Sequence, residues 1–202
     1  MRARVILGGI VVLSILGVAV SPAVSYGVEA KKEESSKKRE YIGASKCKVC
    51  HNKKSTGKQY EAWSKLKHAN AHKTLLTEKA VEVAKKQGVS GAPSEAPECL
   101  RCHVTSYDVE KKAVPKKIKM KDGVQCESCH GPNSLHQDAA KKQMKAKGAA
   151  KEAIDVTSSL VKPEEAMCKK CHNKESPTFD GKFDFKEAVK KVSHPNPKKK
   201  KK

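Results

Sequence analysis

All eight cysteines of this 202-residue chain fall in four copies of one short pattern. Each copy reads Cys-x-x-Cys-His. Two cysteines three positions apart share one face of a helical turn, so both thiols reach the vinyl edges of a porphyrin while the next residue lies beneath the iron. The pattern is the attachment sequence of c-type haem. We therefore expect four covalently bound haem c groups, held by Cys47, Cys50, His51, Cys99, Cys102, His103, Cys126, Cys129, His130, Cys168, Cys171 and His172.

Two other uses of paired cysteines fit less well. Structural zinc normally takes two Cys-x-x-Cys pairs per ion and does not require a histidine directly after each pair. Disulfides closed within each motif would be local and strained, and thioredoxin-type redox motifs do not occur in fours.

The N-terminus indicates export. Arg2 and Arg4 precede an uncharged apolar run over residues 5–20, and small residues follow. This pattern predicts a signal peptide over residues 1–25, with cleavage after Ser25 or Ala30, and a periplasmic or extracellular protein. The alternative is an uncleaved membrane anchor, because residues 5–28 carry no charge and are long enough to cross a bilayer at ~1.5 Å per residue.

Composition limits the kind of core the chain can build. Only 37% of residues are hydrophobic and 4% aromatic, against 32% charged. That is little apolar material for an ordinary core, so we expect the haems to supply the packing surface. We predict a mainly α fold: a single haem-packed domain over residues 43–196, with short helices, much irregular chain and almost no strand. Residues 26–42 would form a mobile linker and residues 197–202 a disordered lysine tail.

Helix boundaries can be placed for three segments. Residues at helical spacing between positions 60 and 75 predict one helix, capped by Thr56. A second helix begins at Thr77 and ends at Gly88. Asp184 caps the last helix, which ends before Pro195.

Four histidines lie outside the motifs, and they equal the number of irons. Haem iron has two axial positions, of which the motif histidine fills one. The candidates for the second are His68, His72, His136 and His194. Methionine is a poor competitor, because Met167 abuts its own motif and the other candidates lie in lysine-rich segments. We expect bis-histidine ligation at most or all irons, which favours low-spin haem and lower potentials.

His68 and His72 need separate treatment. Four residues apart on a helix, they would share one face about a turn apart and cannot bind opposite sides of one iron. Either they serve two neighbouring haems, or one of them lies behind a ligand.

Two stretches resemble a known family. Trp63-x-x-x-x-His68-Ala69-x-Ala71 follows the first motif, and Gly123-Val124-x-Cys126-Glu127-Ser128-Cys129-His130-Gly131-Pro132 surrounds the third. They are similar to the tetrahaem cytochrome c-554 family, whose best-known member accepts electrons from hydroxylamine oxidoreductase. The resemblance covers residues 43–195. It implies a largely helical fold with haems in stacked pairs.

The resemblance also implies a ligand scheme. His136 would ligate the first haem and His68 the third or fourth. His194 falls where the family member lacks a histidine, near a haem left five-coordinate. The resemblance therefore implies that His194 gives the second haem a sixth ligand.

The net charge of the chain indicates what kind of partner it would bind. The formal net charge is +21 before any haem propionates are counted, which would steer the protein towards acidic surfaces. Lysine-rich strips at residues 111–121 and 141–151 are either solvated faces or docking sites, and the docking partner is either an acidic redox donor or acceptor or an anionic envelope surface. We expect no nucleic-acid partner, because the chain is predicted to be exported and lacks interleaved aromatic residues.

These features predict an exported tetrahaem c-type cytochrome that relays single electrons and is not an enzyme. One alternative is an enzyme of nitric oxide or hydroxylamine chemistry, which needs an iron with an open position. Another is a self-assembling subunit of an extracellular cytochrome filament, in which a spare histidine ligates a haem of the next protomer.

Overall fold

The computed structural model describes residues 37–197. The predicted signal peptide, most of the predicted linker and nearly all of the lysine tail lie outside the described residues. From Lys38 onward the described chain belongs to one compact unit. Among the described residues, no helix is both long and apolar enough to span a membrane.

Short helices dominate the described chain, as predicted. The α-helices, in chain order, are α1 Ala44–His51, α2 Gln59–Ser64, α3 Ala71–Thr74, α4 Glu78–Lys86, α5 Pro97–His103, α6 Cys126–His130, α7 Ser134–Lys145, α8 Gly148–Glu152, α9 Glu165–Cys168 and α10 Phe185–Val192. Short 3-10 turns occupy Lys54–Thr56, Lys67–Asn70 and Met120–Asp122. The β structure of residues 37–197 is limited to one isolated bridge between Asp108 and Ala113.

Local capping explains two helix starts that the sequence predicted. The side chain of Thr77 accepts a hydrogen bond from the amide of Ala80 at the start of α4. The Asp184 carboxylate accepts one from the amide of Glu187 at the start of α10. Both caps satisfy an amide that the helix itself leaves unpaired.

The single helix predicted from Thr56 through residue 75 is wrong. Thr56 lies in a 3-10 turn, where its hydroxyl donates to the carbonyl of Cys50 at 2.9 Å instead of capping α2. Gly57 and Lys58 both have left-handed backbone angles, which interrupt a right-handed helix. A further 3-10 turn separates α2 from α3, so His68 and His72 belong to different elements.

The apolar core is small. Leu75, Leu100, Val104 and Ile118 form its buried cluster, with Tyr107 packed against it. Hydrogen bonds extend this cluster towards the third motif. The buried hydroxyl of Thr105 donates to the carbonyl of Gly123 at 3.1 Å and accepts from the amide of Gln125 at 2.6 Å. The segment after α5 is thereby tied to the residues that lead into α6.

Candidate haem-binding site

The four Cys-x-x-Cys-His motifs lie on or at the ends of helices. The first three motifs lie within α1, α5 and α6. The fourth begins at the last residue of α9, and its turn is closed by hydrogen bonds from the amides of Cys171 and His172 to the carbonyl of Cys168. Each motif therefore presents two thiols and one imidazole from a single helical turn, which is the arrangement that haem attachment needs.

The thiols of different motifs lie in contact in two pairs. Cys47 in the first motif lies against Cys126 in the third, and this contact, together with burial, raises the pKa of the Cys47 thiol. Cys171 in the fourth motif lies against Cys102 in the second in the same way, and this contact lowers the pKa of Cys102 to about 7. The first motif is thus adjacent to the third, and the second to the fourth.

An ion pair also links the second motif to the segment after the fourth. The guanidinium of Arg101, inside the second motif, lies 2.8 Å from the carboxylate of Glu175, which follows the fourth motif. No disulfide joins the eight cysteines. Within residues 37–197 there is also no group of three or more His, Cys, Asp or Glu side chains placed to hold a metal ion directly.

Three motif histidines each face a histidine from elsewhere in the chain. The ring centroids of His51 and His136 are 5.9 Å apart. Those of His68 and His172 are 6.0 Å apart, and those of His130 and His194 are 5.9 Å apart. Metal–imidazole bonds are about 2 Å long, so two rings bound to opposite sides of one iron have centroids roughly 6 Å apart. The three distances fit a metal between the rings.

Hydrogen bonds at Nδ1 fix the orientation of several of these rings. The Nδ1–H of His130 donates to the carbonyl of Val161, and that of His136 donates to the carbonyl of Val156. The side-chain oxygen of Gln59 accepts from Nδ1 of His51. A donor bond at Nδ1 leaves Nε2 unprotonated and available to a metal, as in most histidine-ligated centres.

Burial favours the neutral form of three of these imidazoles. It lowers the pKa of His68, of His130 and of His136, because the charged ring loses water. Neighbouring imidazoles act in the same direction, as His172 does on His68. A neutral ring is the form that binds a metal.

His103 of the second motif is held differently. Its Nδ1–H donates to the carbonyl of Ala71 at 2.8 Å and lies 3.3 Å from the hydroxyl of Thr74. Both partners belong to α3, which also carries His72. In residues 37–197 neither His103 nor His72 has a ring contact of the kind that joins the other three pairs.

His194 does not lie where we expected it. The family resemblance implied a position at the second haem, opposite His103, but the ring of His194 faces His130 of the third motif. Because α10 ends at Val192, His194 lies in the extended segment after the helix. The sequence therefore gave no helical register from which its neighbour could be derived.

Sequence reasoning missed the groups that orient the motif histidines. Most of them are backbone carbonyls, of Ala71, Val156 and Val161, and no residue type marks a carbonyl as an acceptor. It also missed the role of Glu127, a charged residue inside the third motif that is only 2% exposed.

Comparisons with known proteins find similarity to cytochrome c554. Residues 46–131 match the family described as cytochrome c554 and c-prime. Cytochrome c-554 of Nitrosomonas europaea is 30% identical over 95 residues, which make up 46% of this chain but only 38% of that protein. The structure of the reduced state of cytochrome c554 from Nitrosomonas europaea has a TM-score of 0.51 at 26% identity, covering 75% of this chain and 82% of that one.

Proposed function

We propose that the chain is a member of the cytochrome c554 family, whose model matches residues 46–131, and that it is an exported tetrahaem protein that passes single electrons between redox partners. Membership of the family implies a multihaem cytochrome and electron transfer. The number of haems, their ligands and the partners are parts of the proposal. Its main support is the set of three facing histidine pairs, each with a spacing that suits one iron.

The chain's own residues would hold the haems in two steps. The two cysteines of each motif would form thioether bonds, and the motif histidine would bind one face of the iron. Bound haem supplies one-electron chemistry, while the polypeptide fixes ligands, spacing and potentials. The contacts of Cys47 with Cys126 and of Cys102 with Cys171 support neighbouring pairs, first with third and second with fourth.

The facing rings support a ligand for three of the irons. We assign His136 to the first haem, His194 to the third and His68 to the fourth, each opposite its motif histidine. Burial favours the neutral rings of His68 and His136, and the Nδ1 bond of His136 directs its Nε2 towards His51.

The second motif supports a different coordination. The bond from Nδ1 of His103 to Ala71 places α3 on the side of the ring remote from Nε2. His72 lies on that same helix, so we place it behind His103 and not at the open face of the same iron. We therefore propose that His103 is the one histidine ligand of the second haem.

This difference favours a second candidate function at one site. An iron with one histidine can bind a small molecule, as the nitrogen-oxide chemistry raised by the sequence analysis would require. Electron relay and small-molecule chemistry are compatible, because the other three histidine pairs would keep their haems closed to added ligands.

A census of haems and spin states tests the proposal. After secretion from a strain with haem-maturation machinery, the intact mass should exceed that of the processed chain by four haems and survive acid-acetone extraction. Electron paramagnetic resonance of the oxidised protein should show three low-spin haems and one high-spin haem. Carbon monoxide should bind one haem in four after reduction. Four low-spin haems would contradict the assignment at His103, and fewer covalent haems would contradict the tetrahaem proposal itself.

Basic surface would guide docking to a partner. Lys141 and Lys145 are exposed on α7, the helix that also carries His136. An acidic protein surface bound there would approach the haem that His51 and His136 are proposed to hold. The rate of electron exchange with an acidic redox protein should fall as ionic strength rises, and charge reversal at Lys141 and Lys145 should weaken it.

A further inference from the structure

A carboxylate is buried between the first and third haem motifs. Glu127 lies between the two cysteines of the third motif and is 2% exposed. Its Oε1 accepts hydrogen bonds from the amides of Ile42 at 3.0 Å and Asn133 at 2.9 Å. Its Oε2 accepts from the amides of Gly43 at 2.8 Å and Ile42 at 3.1 Å. In the described part of the chain no lysine or arginine forms an ion pair with it.

These hydrogen bonds join the two motif-bearing segments. Gly43 is the N-cap of α1, the helix that carries the first motif. The next amide, of Ala44, donates to the side-chain oxygen of Gln125 at 2.7 Å, two residues before Glu127. The start of α1 is therefore held by the segment that leads into α6. Both oxygens of Glu127 accept from N–H groups alone, which is the environment of an ionised carboxylate.

The charge lies close to the attachment points of two haems. Glu127 directly follows Cys126, which in turn is in contact with Cys47 of the first motif. After the contact between the two thiols and their burial, the negative charge of Glu127 is a further cause, and it acts to raise the pKa of both. In the interior such a charge is weakly screened, so it acts on neighbouring groups far more strongly than an exposed carboxylate does.

We propose that the ionised carboxylate of Glu127 lowers the reduction potentials of the first and third haems relative to the second and fourth. The inference rests on the proposed tetrahaem function. Reduction adds one negative charge to a haem, and a fixed negative charge nearby opposes that addition. Electrons would then settle preferentially on the second and fourth haems. Glu127 would act as a positioning residue as well, since the same carboxylate aligns α1 with α6.

Replacement of the charge by an amide tests the proposal. In the Glu127→Gln holoprotein, spectroelectrochemical titration should show two of the four potentials shifted upwards, and the other two little changed. The matched control is Glu98→Gln, because Glu98 is also adjacent to a motif cysteine, Cys99, but is exposed and screened by water. The control should leave all four potentials in place.

A shorter acid separates charge from packing. Glu127→Asp keeps the charge but cannot make all four hydrogen bonds, so it should lower thermal stability while two potentials stay low. Unchanged potentials in a natively folded Glu127→Gln variant would overturn the proposal. Equal upward shifts in Glu127→Asp and Glu127→Gln would overturn it too, because distortion would then explain both.

A measurement on the unaltered protein covers the case in which neither variant folds. Redox difference infrared spectra with isotope-labelled glutamate should show a buried ionised carboxylate perturbed by reduction, and a protonated carboxyl band or no perturbation would overturn the proposal. A wild-type mass with fewer than four haems would instead contradict the proposed function, which keeps the two failures distinguishable.

Discussion

His130 and His194 face each other with their ring centroids 5.9 Å apart. One belongs to the third haem motif and the other to the extended segment after α10. Desolvation by burial lowers the pKa of His130, and the nearby His194 adds to this effect, so both causes favour the neutral form of His130. The contact gives the last segment of the described chain a defined place beside the third motif and moves His194 away from its expected position at the second.

Removal of the His194 imidazole should open the third haem. In the proposed arrangement, His194→Ala converts one low-spin haem to high spin and leaves the high-spin haem at His103 as it was. The variant should therefore have two high-spin haems and bind two equivalents of carbon monoxide after reduction. The potential of the affected haem should rise, because bis-histidine ligation favours lower potentials. Electron paramagnetic resonance and ligand titration measure these changes.

His72→Ala is the matched control for that experiment. His72 is also a histidine outside the motifs, but it lies on α3, whose backbone anchors His103. Its removal should leave the spin-state census unchanged. Gain of a high-spin haem in His72→Ala, with no change in His194→Ala, would reverse the two assignments.

Gly43 should tolerate no side chain. Its φ is +80°, and an added Cβ would lie 2.5 Å from the carbonyl oxygen of Lys117. Left-handed backbone strain and overpacking together should lower the free energy of unfolding by about 3 kcal/mol in Gly43→Ala. Denaturant titration of the holoprotein measures the loss.

Gly91→Ala separates strain from steric contact. Gly91 has a similar φ of +83° but no atom within 4 Å of an added Cβ. We expect a loss of about 1 kcal/mol there, from backbone strain alone. An equal loss of unfolding free energy in Gly43→Ala and Gly91→Ala would mean that the approach of Lys117 to Gly43 does not constrain the fold.

The sequence predicted best what depends on neighbouring residues. A motif is complete within five positions, and a cap such as Thr77 or Asp184 acts on an amide three positions later. The predicted helix through His68 and His72 failed for an equally local reason, because Leu66 is extended and a 3-10 turn over Lys67–Asn70 separates α2 from α3, which periodicity does not reveal.

The pairing of residues distant in sequence could not be predicted from the chain alone. His194 carries no mark that assigns it to the third motif and not the second, because that depends on the path of the whole C-terminal segment. The partners of Glu127 are backbone amides of Ile42, Gly43 and Asn133, which any residue type except proline would supply. The resemblance to a family supplied an approximate ligand scheme, but the distances come from the tertiary structure.

The buried hydroxyl of Thr105 should contribute to the stability of the fold although the residue lies outside the helices. Thr105 is 1% exposed, and its hydroxyl accepts from the buried amide of Gln125 and contacts the hydroxyl of Ser128 at 2.9 Å. Thr105→Val keeps the shape but leaves that amide without its partner, which should cost about 1–3 kcal/mol of unfolding free energy. The exposed Thr178 provides the control, since Thr178→Val should change stability by less than about 0.5 kcal/mol. Equal effects in denaturant titrations would contradict this role.

The chain should not fold without haem. Its buried hydrophobic residues within positions 37–197 number nine, and four of these are alanines, which bury little area. Such a core cannot offset the conformational entropy of ordering a chain of this length. When the protein is produced without haem-maturation machinery, far-ultraviolet circular dichroism should therefore show little helix, and unfolding should lack a cooperative transition. The holoprotein, measured in the same buffer, should show both. A helical, cooperatively unfolding haem-free chain would mean that the polypeptide alone specifies the fold and that the histidine pairs are preformed before haem attachment.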